Sequence, residues 1–290
     1  MATTSAAAAR TVVITGASTG IGEACALHLD QLGWRVFAGV RKDADGEALR
    51  AKASARLMPV RIEVTDAASI AAARDIVARE LGDRGLDGLV NNAGVVVAGP
   101  LEFLPIDDLR RQLDVNVIGQ IAVTQAFLAL VRSARGRIVN IGSVSGKMAT
   151  PFVGPYAASK FAMEALTDAL RCELRPWGIQ VAIVEPGSIA TPIWEKTTAD
   201  ADRIESLLPA EGHALYDPAI KAIRAAADEL GRKGIPAVEV AKAVTHALTA
   251  KKPKTRYLVG RDARVQATLA RVAPDRLRDG LVLRQLKLPK

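Results

Sequence analysis

The chain has 290 residues, 49% of them apolar but only 4% aromatic, and a formal net charge of +8. A core of Ala, Val, Leu and Ile suits β-branched parallel strands covered by alanine-rich helices, and so few aromatics exclude a stacking platform for single-stranded nucleic acid. The charge is concentrated: residues 251–290 hold 12 Lys/Arg against three Asp, while residues 1–250 hold 27 basic and 28 acidic side chains, so the body is near neutral and no nucleic-acid partner is expected.

Residues 1–9 read as a flexible Ala/Thr tail without the charged start and apolar core of a secretion signal. No run of about 18 apolar residues supplies a spanning helix, and a cytoplasmic location is expected. Thr11–Thr15 is a short β-branched strand that runs directly into glycine. Ile21–Leu32 repeats apolar residues at helical spacing until Gly33 stops it. Strands follow at Arg35–Val40 and Leu57–Val64, then a helix over Ala67–Leu81 and a strand at Leu86–Val90. A helix is expected over Ile106–Val131, interrupted at Gly119, then a strand at Arg137–Ile141, a helix over Tyr156–Arg175, and strands at Gln180–Val184 and Arg256–Val259.

Seven strands alternating with helices predict a Rossmann-type, doubly wound α/β fold: a predominantly parallel seven-stranded sheet with helices on both faces, in one domain over residues 10–290. Residues 188–235, broken by Pro192, Pro209 and Pro218, follow a strand end, where open α/β sheets bind ligands. They read as a substrate lid, with a helical packing insertion as the alternative. The basic C-terminal extension 261–290 reads as a solvated or oligomer-packed helix, with peripheral contact to anionic lipid as the alternative. Cys25 and Cys172 stand alone as small buried hydrophobes, and His28, His213 and His246 are scattered, so no metal is expected.

The first chemical signal is Thr15-Gly16-Ala17-Ser18-Thr19-Gly20-Ile21-Gly22. Gly16, Gly20 and Gly22 permit a tight turn and close approach of backbone to a pyrophosphate, while Ser18, Thr19 and Ile21 lead into a helix start with unpaired N–H groups. The spacing departs from GxGxxG, but strand, glycine turn and helix together point to a dinucleotide. The second strand ends at Val40-Arg41-Lys42, where an NAD site would place an acid on the ribose hydroxyls and a 2′-phosphate needs a cation. Arg41 and Lys42 favour NADP(H); Asp43 and Asp45 nearby keep NAD(H) open, as does the reading of Arg41 as a solvent-facing side chain. Glu63 and Val64, ending the third strand, are placed beside the adenine, and Asn92, Ala93 and Gly94 along the cofactor crevice.

Ser143, Tyr156 and Lys160 form the second signal. Tyr156 and Lys160 are four apart on one helix and share a face. A nearby ammonium favours tyrosinate and lowers the phenol toward general acid–base duty, and Ser143, after the fifth strand, is placed to hydrogen-bond a substrate oxygen. Without the glycine turn, this pair would be an ordinary helix pair.

These motifs together resemble the short-chain dehydrogenase/reductase family: TGxxxGxG at Thr15–Gly22, NNAG at Asn91–Gly94, Asn116 in Asn116-Val117-Ile118-Gly119, Ser143 with Tyr156-x-x-x-Lys160, and the proline-glycine-threonine element at Pro186, Gly187 and Thr191. The resemblance implies hydride exchange between nicotinamide and a carbonyl or a primary or secondary alcohol, with Tyr156 as acid/base, Lys160 lowering its pKa and holding the nicotinamide ribose, and Ser143 positioning the substrate oxygen. It further implies a water-linked proton path from Asn116 to Lys160, carboxamide contacts from Ile189 and Thr191, and a homodimer or homotetramer. Arg41 coincides with the arginine of NADP-preferring members. The stretch Val36–Lys42 and the basic C-terminus are similar to the retinol- and hydroxysteroid-dehydrogenase-like branch.

An apolar or lipid-like substrate is expected from Val95, Val96, Met148, Phe152, Trp194, Leu207, Leu208 and Tyr216. The competing classes are a nonenzymatic NADP(H)-binding regulator and a structural homo-oligomer.

Overall fold

The β-branched runs form the sheet. In the structure, a computed structural model that describes residues 9–288, β1 (Thr11–Ile14), β2 (Arg35–Val40), β3 (Leu57–Arg61), β4 (Gly88–Asn91), β5 (Arg137–Ile141) and β6 (Gln180–Pro186) are parallel neighbours. Two short strands, β7 (Ile189–Ala190) and β8 (Ile235–Pro236), pair with each other, and β9 (Arg256–Val259) joins β6. The main sheet has seven strands in the order β3-β2-β1-β4-β5-β6-β9. Its order reverses between β1 and β4, which opens the crevice at the carboxyl ends of those strands.

Alternate strand residues feed opposite cores, as the two-residue period of a strand requires. Val12 and Ile14 pack with Cys25, Ala26 and Leu29 of α1 (Gly20–Gln31). Val13 and Phe37 pack on the other face with Ile70, Ala73 and Val77. Those residues belong to α3 (Ala67–Leu81), which follows α2 (Asp43–Arg50). Asp66 caps α3 by accepting from the Ala68 N–H at 2.9 Å and the Ser69 N–H at 3.3 Å.

The helix expected over 106–131 divides into α4 (Ile106–Leu113), a π-helical turn at Asp114–Ile118, and α5 (Gly119–Ala134). Gly119 begins α5, and a Cβ there would lie 2.7 Å from the Val64 carbonyl oxygen. The run 106–134 has the length and hydropathy of a bilayer-crossing helix, yet its Val123, Phe127 and Val131 pack in the core against the sheet.

Helix α6 (Gly154–Glu173) carries Tyr156 and Lys160. Pro192 and Pro209 precede α7 (Ile193–Glu205) and α8 (Ala210–Lys233), and α8 continues through Pro218 rather than breaking there. The β7–β8 pair joins the two ends of this insertion through the register Ile189↔Ile235. Arg224 of α8 pairs with Asp202 and Glu205 of α7, while Arg111 and Asp108 of α4 pair with Asp200 and Arg203 of α7. Three helices complete the fold: α9 (Val238–Thr249), packed on the α1 side, α10 (Arg261–Val272) and α11 (Asp275–Gln285). The tail expected at residues 1–9 lies outside the described residues except for Ala9, whose carbonyl accepts from Arg84 at 2.8 Å. Cys25 is buried as expected, whereas Cys172 is exposed.

Candidate active site

The glycine turn is fixed from across the crevice. Asn92 Nδ2 donates to the Thr15 and Gly16 carbonyls at 2.9 and 3.0 Å, and Thr15 Oγ1 accepts from the Asn92 and Ala93 N–H groups at 2.9 and 3.0 Å. The Asn92 amide is thus committed to holding the turn. Gly16 and Gly20 both have φ +64°, and a Cβ at Gly16 would lie 2.8 Å from Ala93 Cα. A Cβ at Gly22 would overlap the Gly16 carbonyl. Ser18 is half-buried, Ile21 packs toward the core, and the start of α1 at Thr19 carries no side-chain cap. A glycine turn that runs directly into a helix N-terminus fits a dinucleotide pyrophosphate.

Beside it lie the residues expected at the adenosine end. Arg41 and Lys42 are exposed just past β2. The third strand ends at Arg61, short of Glu63 and Val64, although Ile62 N–H still reaches the Val40 carbonyl at 2.9 Å. Glu63 therefore stands in the turn beyond β3, where its carboxylate accepts from Thr65 Oγ1 at 3.0 Å and approaches Arg41 Nη1 to 4.0 Å. Val64 is buried and its carbonyl packs against Gly119. Gly94 is exposed, and a Cβ on it would lie 3.4 Å from Asn116 Oδ1.

Ser143 follows β5 and accepts from the Ser145 N–H at 3.1 Å. Its side chain stands beside the Tyr156 phenol. Lys160 Nζ lies 5.5 Å from the centre of the Tyr156 ring and donates to the Ile141 carbonyl at 2.8 Å. Burial pulls Lys160 down to about 8. Burial also pushes Tyr156 above its ordinary value, with the neighbouring Ser143 hydroxyl opposing. This corrects the expected lowering by Lys160: desolvation of the phenolate outweighs an ammonium that is directed at a carbonyl.

Asn116 is buried, and its amide is taken up by both backbone groups of Val95 and by Ser159 Oγ at 3.2 Å, not by Lys160. Gln112 assists by accepting from the Val97 N–H at 2.7 Å and donating to the Val95 carbonyl at 2.9 Å. Sequence reasoning missed Gln112 and Ser159; their partners are distant in the chain and leave no spacing signal.

Pro186 ends β6, and Gly187 begins the loop to β7. Ile189 is buried, and Thr191 faces the glycine turn, since a Cβ on Gly20 would lie 3.2 Å from Thr191 Cβ. The 186–191 loop thereby borders the same crevice as the turn. Trp194 donates Nε1 to the Ile189 carbonyl at 2.8 Å and packs by Gly231, so it braces the base of the insertion. Leu207 is exposed and Leu208 buried. Tyr216 meets Phe103 and Phe152 edge-on, each with centroids 6.0 Å apart. An apolar cavity of about 40 Å³ lies between the 98–100 loop, Phe152, Ile204 and Ile220.

A second buried ionic group was not foreseen. Glu164 and Glu185 adjoin each other; Lys147 reaches them at 2.6 and 3.0 Å, and Arg256 reaches Glu164 at 3.0 Å. Burial and the neighbouring Glu164 push Glu185 up to about 7, while the cations hold Glu164 low.

Residues 10–202 match the short chain dehydrogenase family. An NADPH-dependent 3-dehydrocapnine reductase from Ornithobacterium rhinotracheale is 35% identical over 283 residues, covering 96% of this chain and 98% of that protein. Retinol dehydrogenase 5 of Mus musculus is 38% identical over 279 residues, covering 93% of this chain and 87% of that protein. A solved short chain dehydrogenase from Burkholderia cenocepacia, in complex with NADP, superposes with a TM-score of 0.72 at 26% identity, over 97% of this chain and 98% of that one. With the glycine turn, the Ser143-Tyr156-Lys160 set and this likeness along nearly the whole length, the chain belongs to the short chain dehydrogenase family of NAD(P)-dependent oxidoreductases.

Proposed function

We propose that the protein is an NADP(H)-preferring reductase or dehydrogenase for an apolar, lipid-like carbonyl or alcohol, with Tyr156 as acid/base. The observation that carries this reading is the cluster of Ser143, Tyr156 and Lys160, with Ser143 beside the phenol and Lys160 Nζ 5.5 Å from the ring centre. A phenol held above its ordinary value stays protonated through neutral pH and is poised to deliver a proton to a carbonyl oxygen. Ser143 orients that oxygen, and Lys160 supplies a cation over the phenol's face. The bound nicotinamide supplies, or in reverse takes up, the hydride.

The turn at Gly16–Gly22 and the 186–191 loop would hold the cofactor, with Arg41 and Lys42 taking a 2′-phosphate. Helices α7 and α8 would cover the substrate; the apolar residues around the cavity beneath them and the half-buried Val95, Val96, Met148 and Phe152 support an apolar ligand. The names of two relatives, a 3-dehydrocapnine reductase and a retinol dehydrogenase, support the same class.

The test is a panel of long-chain ketones, aldehydes and alcohols assayed with all four nicotinamide cofactors. Tyr156→Phe should bind NADPH as the parent does and lose roughly 100-fold or more in kcat. Near-normal turnover by that variant would overturn the acid/base role, and preference for small polar substrates would overturn the substrate class.

A further inference from the structure

The first turn of α10 reaches back to the loop after β6. Asp262 Oδ2 accepts from the Ser188 N–H at 2.7 Å. The Ser188 carbonyl accepts from the Ile235 N–H at 3.0 Å, and the Gly187 N–H donates to the Val259 carbonyl at 2.9 Å. The backbone of one residue, Ser188, therefore joins the cofactor loop, the returning end of the α7–α8 insertion and the C-terminal helix. Two glycines make room for the carboxylate: a Cβ on Gly187 or on Gly260 would overlap Asp262 oxygens, and Gly260 has φ +109°.

An acid in the first turn of a helix is ordinarily explained by the helix dipole. That explains a carboxylate at this place but not its aim at Ser188, nor the bare glycine at Gly187. The attachment is also local. Ala263, next to Asp262, is the buried residue of α10, and α11 has none.

We propose that Asp262 is a positioning residue for the 187–191 segment. It holds the Ser188 peptide so that Ile189 and Thr191 face the nicotinamide end of the cofactor, which makes the C-terminal extension part of the support of the active site. A carboxylate is a stronger acceptor for this N–H than a neutral oxygen, and the carbonyl of the same residue is already fixed by Ile235. The proposal rests on the reading of 187–191 as a cofactor contact.

The test uses the full chain and three substitutions: Asp262→Ala, Asp262→Ser as a second loss variant should the alanine chain not fold, and Asp262→Asn, which keeps an acceptor oxygen. NADPH affinity is read by fluorescence titration, amide exchange by mass spectrometry, kcat and KM with an accepted carbonyl, and Tm by melting. The loss variant should weaken NADPH binding about tenfold, as expected for a lost hydrogen bond to a charged group. It should also speed exchange in 187–191 and raise the isotope effect on kcat with deuterated cofactor. Asp262→Asn should recover most of each change. A loss variant with a lower Tm but parental NADPH affinity, exchange in 187–191 and isotope effect would reduce Asp262 to an anchor of α10 and overturn the proposal. A parent chain that binds no NADPH would overturn the cofactor reading, and this inference with it.

Discussion

Asn116 clasps both backbone groups of Val95: its Oδ1 accepts from the Val95 N–H at 2.9 Å, and its Nδ2 donates to the Val95 carbonyl at 3.0 Å. The clasp fixes the segment after Gly94, which borders both the cofactor crevice and the apolar loops. The π-helical turn at Asp114–Ile118 is where the chain presents this amide. Asn116→Asp keeps the acceptor but sets an anionic oxygen against the Val95 carbonyl. We expect it to cost about 1–3 kcal/mol, seen as a lower Tm, with activity falling further than the folded fraction. A variant with the parental Tm would show that the clasp contributes nothing.

Arg41 and Glu63 form a loose ion pair at 4.0 Å, beyond hydrogen-bonding distance, with Arg41 largely in solvent. Such a pair adds little stability, so the arginine is free to turn toward a phosphate. Arg41→Ala should lower the NADPH-to-NADH ratio of kcat/KM by about tenfold, the equivalent of ~1.4 kcal/mol. Glu63→Gln should move that ratio the other way. Unchanged discrimination in Arg41→Ala would return Arg41 to an ordinary surface role.

The Glu164–Glu185 pair sets a pH dependence of stability. Glu185 rises from 4.5 to about 7 on folding, so between those values the native state binds more protons than the unfolded one. Stability from this group is present below its unfolded value and declines as pH rises through about 7. Glu164 shifts downward and contributes in the opposite sense. Glu185→Gln should flatten the decline and stabilise the chain at pH 8 by about 1–3 kcal/mol. Urea melts of both chains from pH 4.5 to 8 decide it; parallel curves would show that Glu185 does not titrate in this window.

Strands were legible because β-branched residues alternate or run together there, and all seven of the main sheet overlap the expected runs, although β3 stops at Arg61 and β4 begins only at Gly88. The eight residues of α2 were not, because Gly46 and Leu49 are its buried positions, too few to set a period. Gly46 is small for a reason seen only in three dimensions: a Cβ there would come 2.8 Å from Pro59. The spacing of Val240, Val244 and Leu248 does carry α9, which a strand-by-strand reading leaves unassigned.

At the site, fixed short spacings made Gly16, Gly20, Gly22, Tyr156 and Lys160 readable. Their supports were not readable, since Gln112 and Asp262 act on backbone groups, and Ser159 on the Asn116 side chain, well separated from them in sequence. The direction of the Tyr156 shift also depends on how deeply the phenol lies, which spacing does not encode.

The short pairing of Ile189 with Ile235 brings the two ends of the α7–α8 insertion together at the rim of the sheet. Everything between them leaves and re-enters the body through a single doorway. Its length and make-up can then vary without changing the register of any strand in the main sheet, and the closure entropy grows only by about 0.6 kcal/mol per doubling of length. The insertion is in that sense an interchangeable cassette: a new ligand shape can be met by exchanging helices at the doorway while the proton-transfer residues on α6 keep their places.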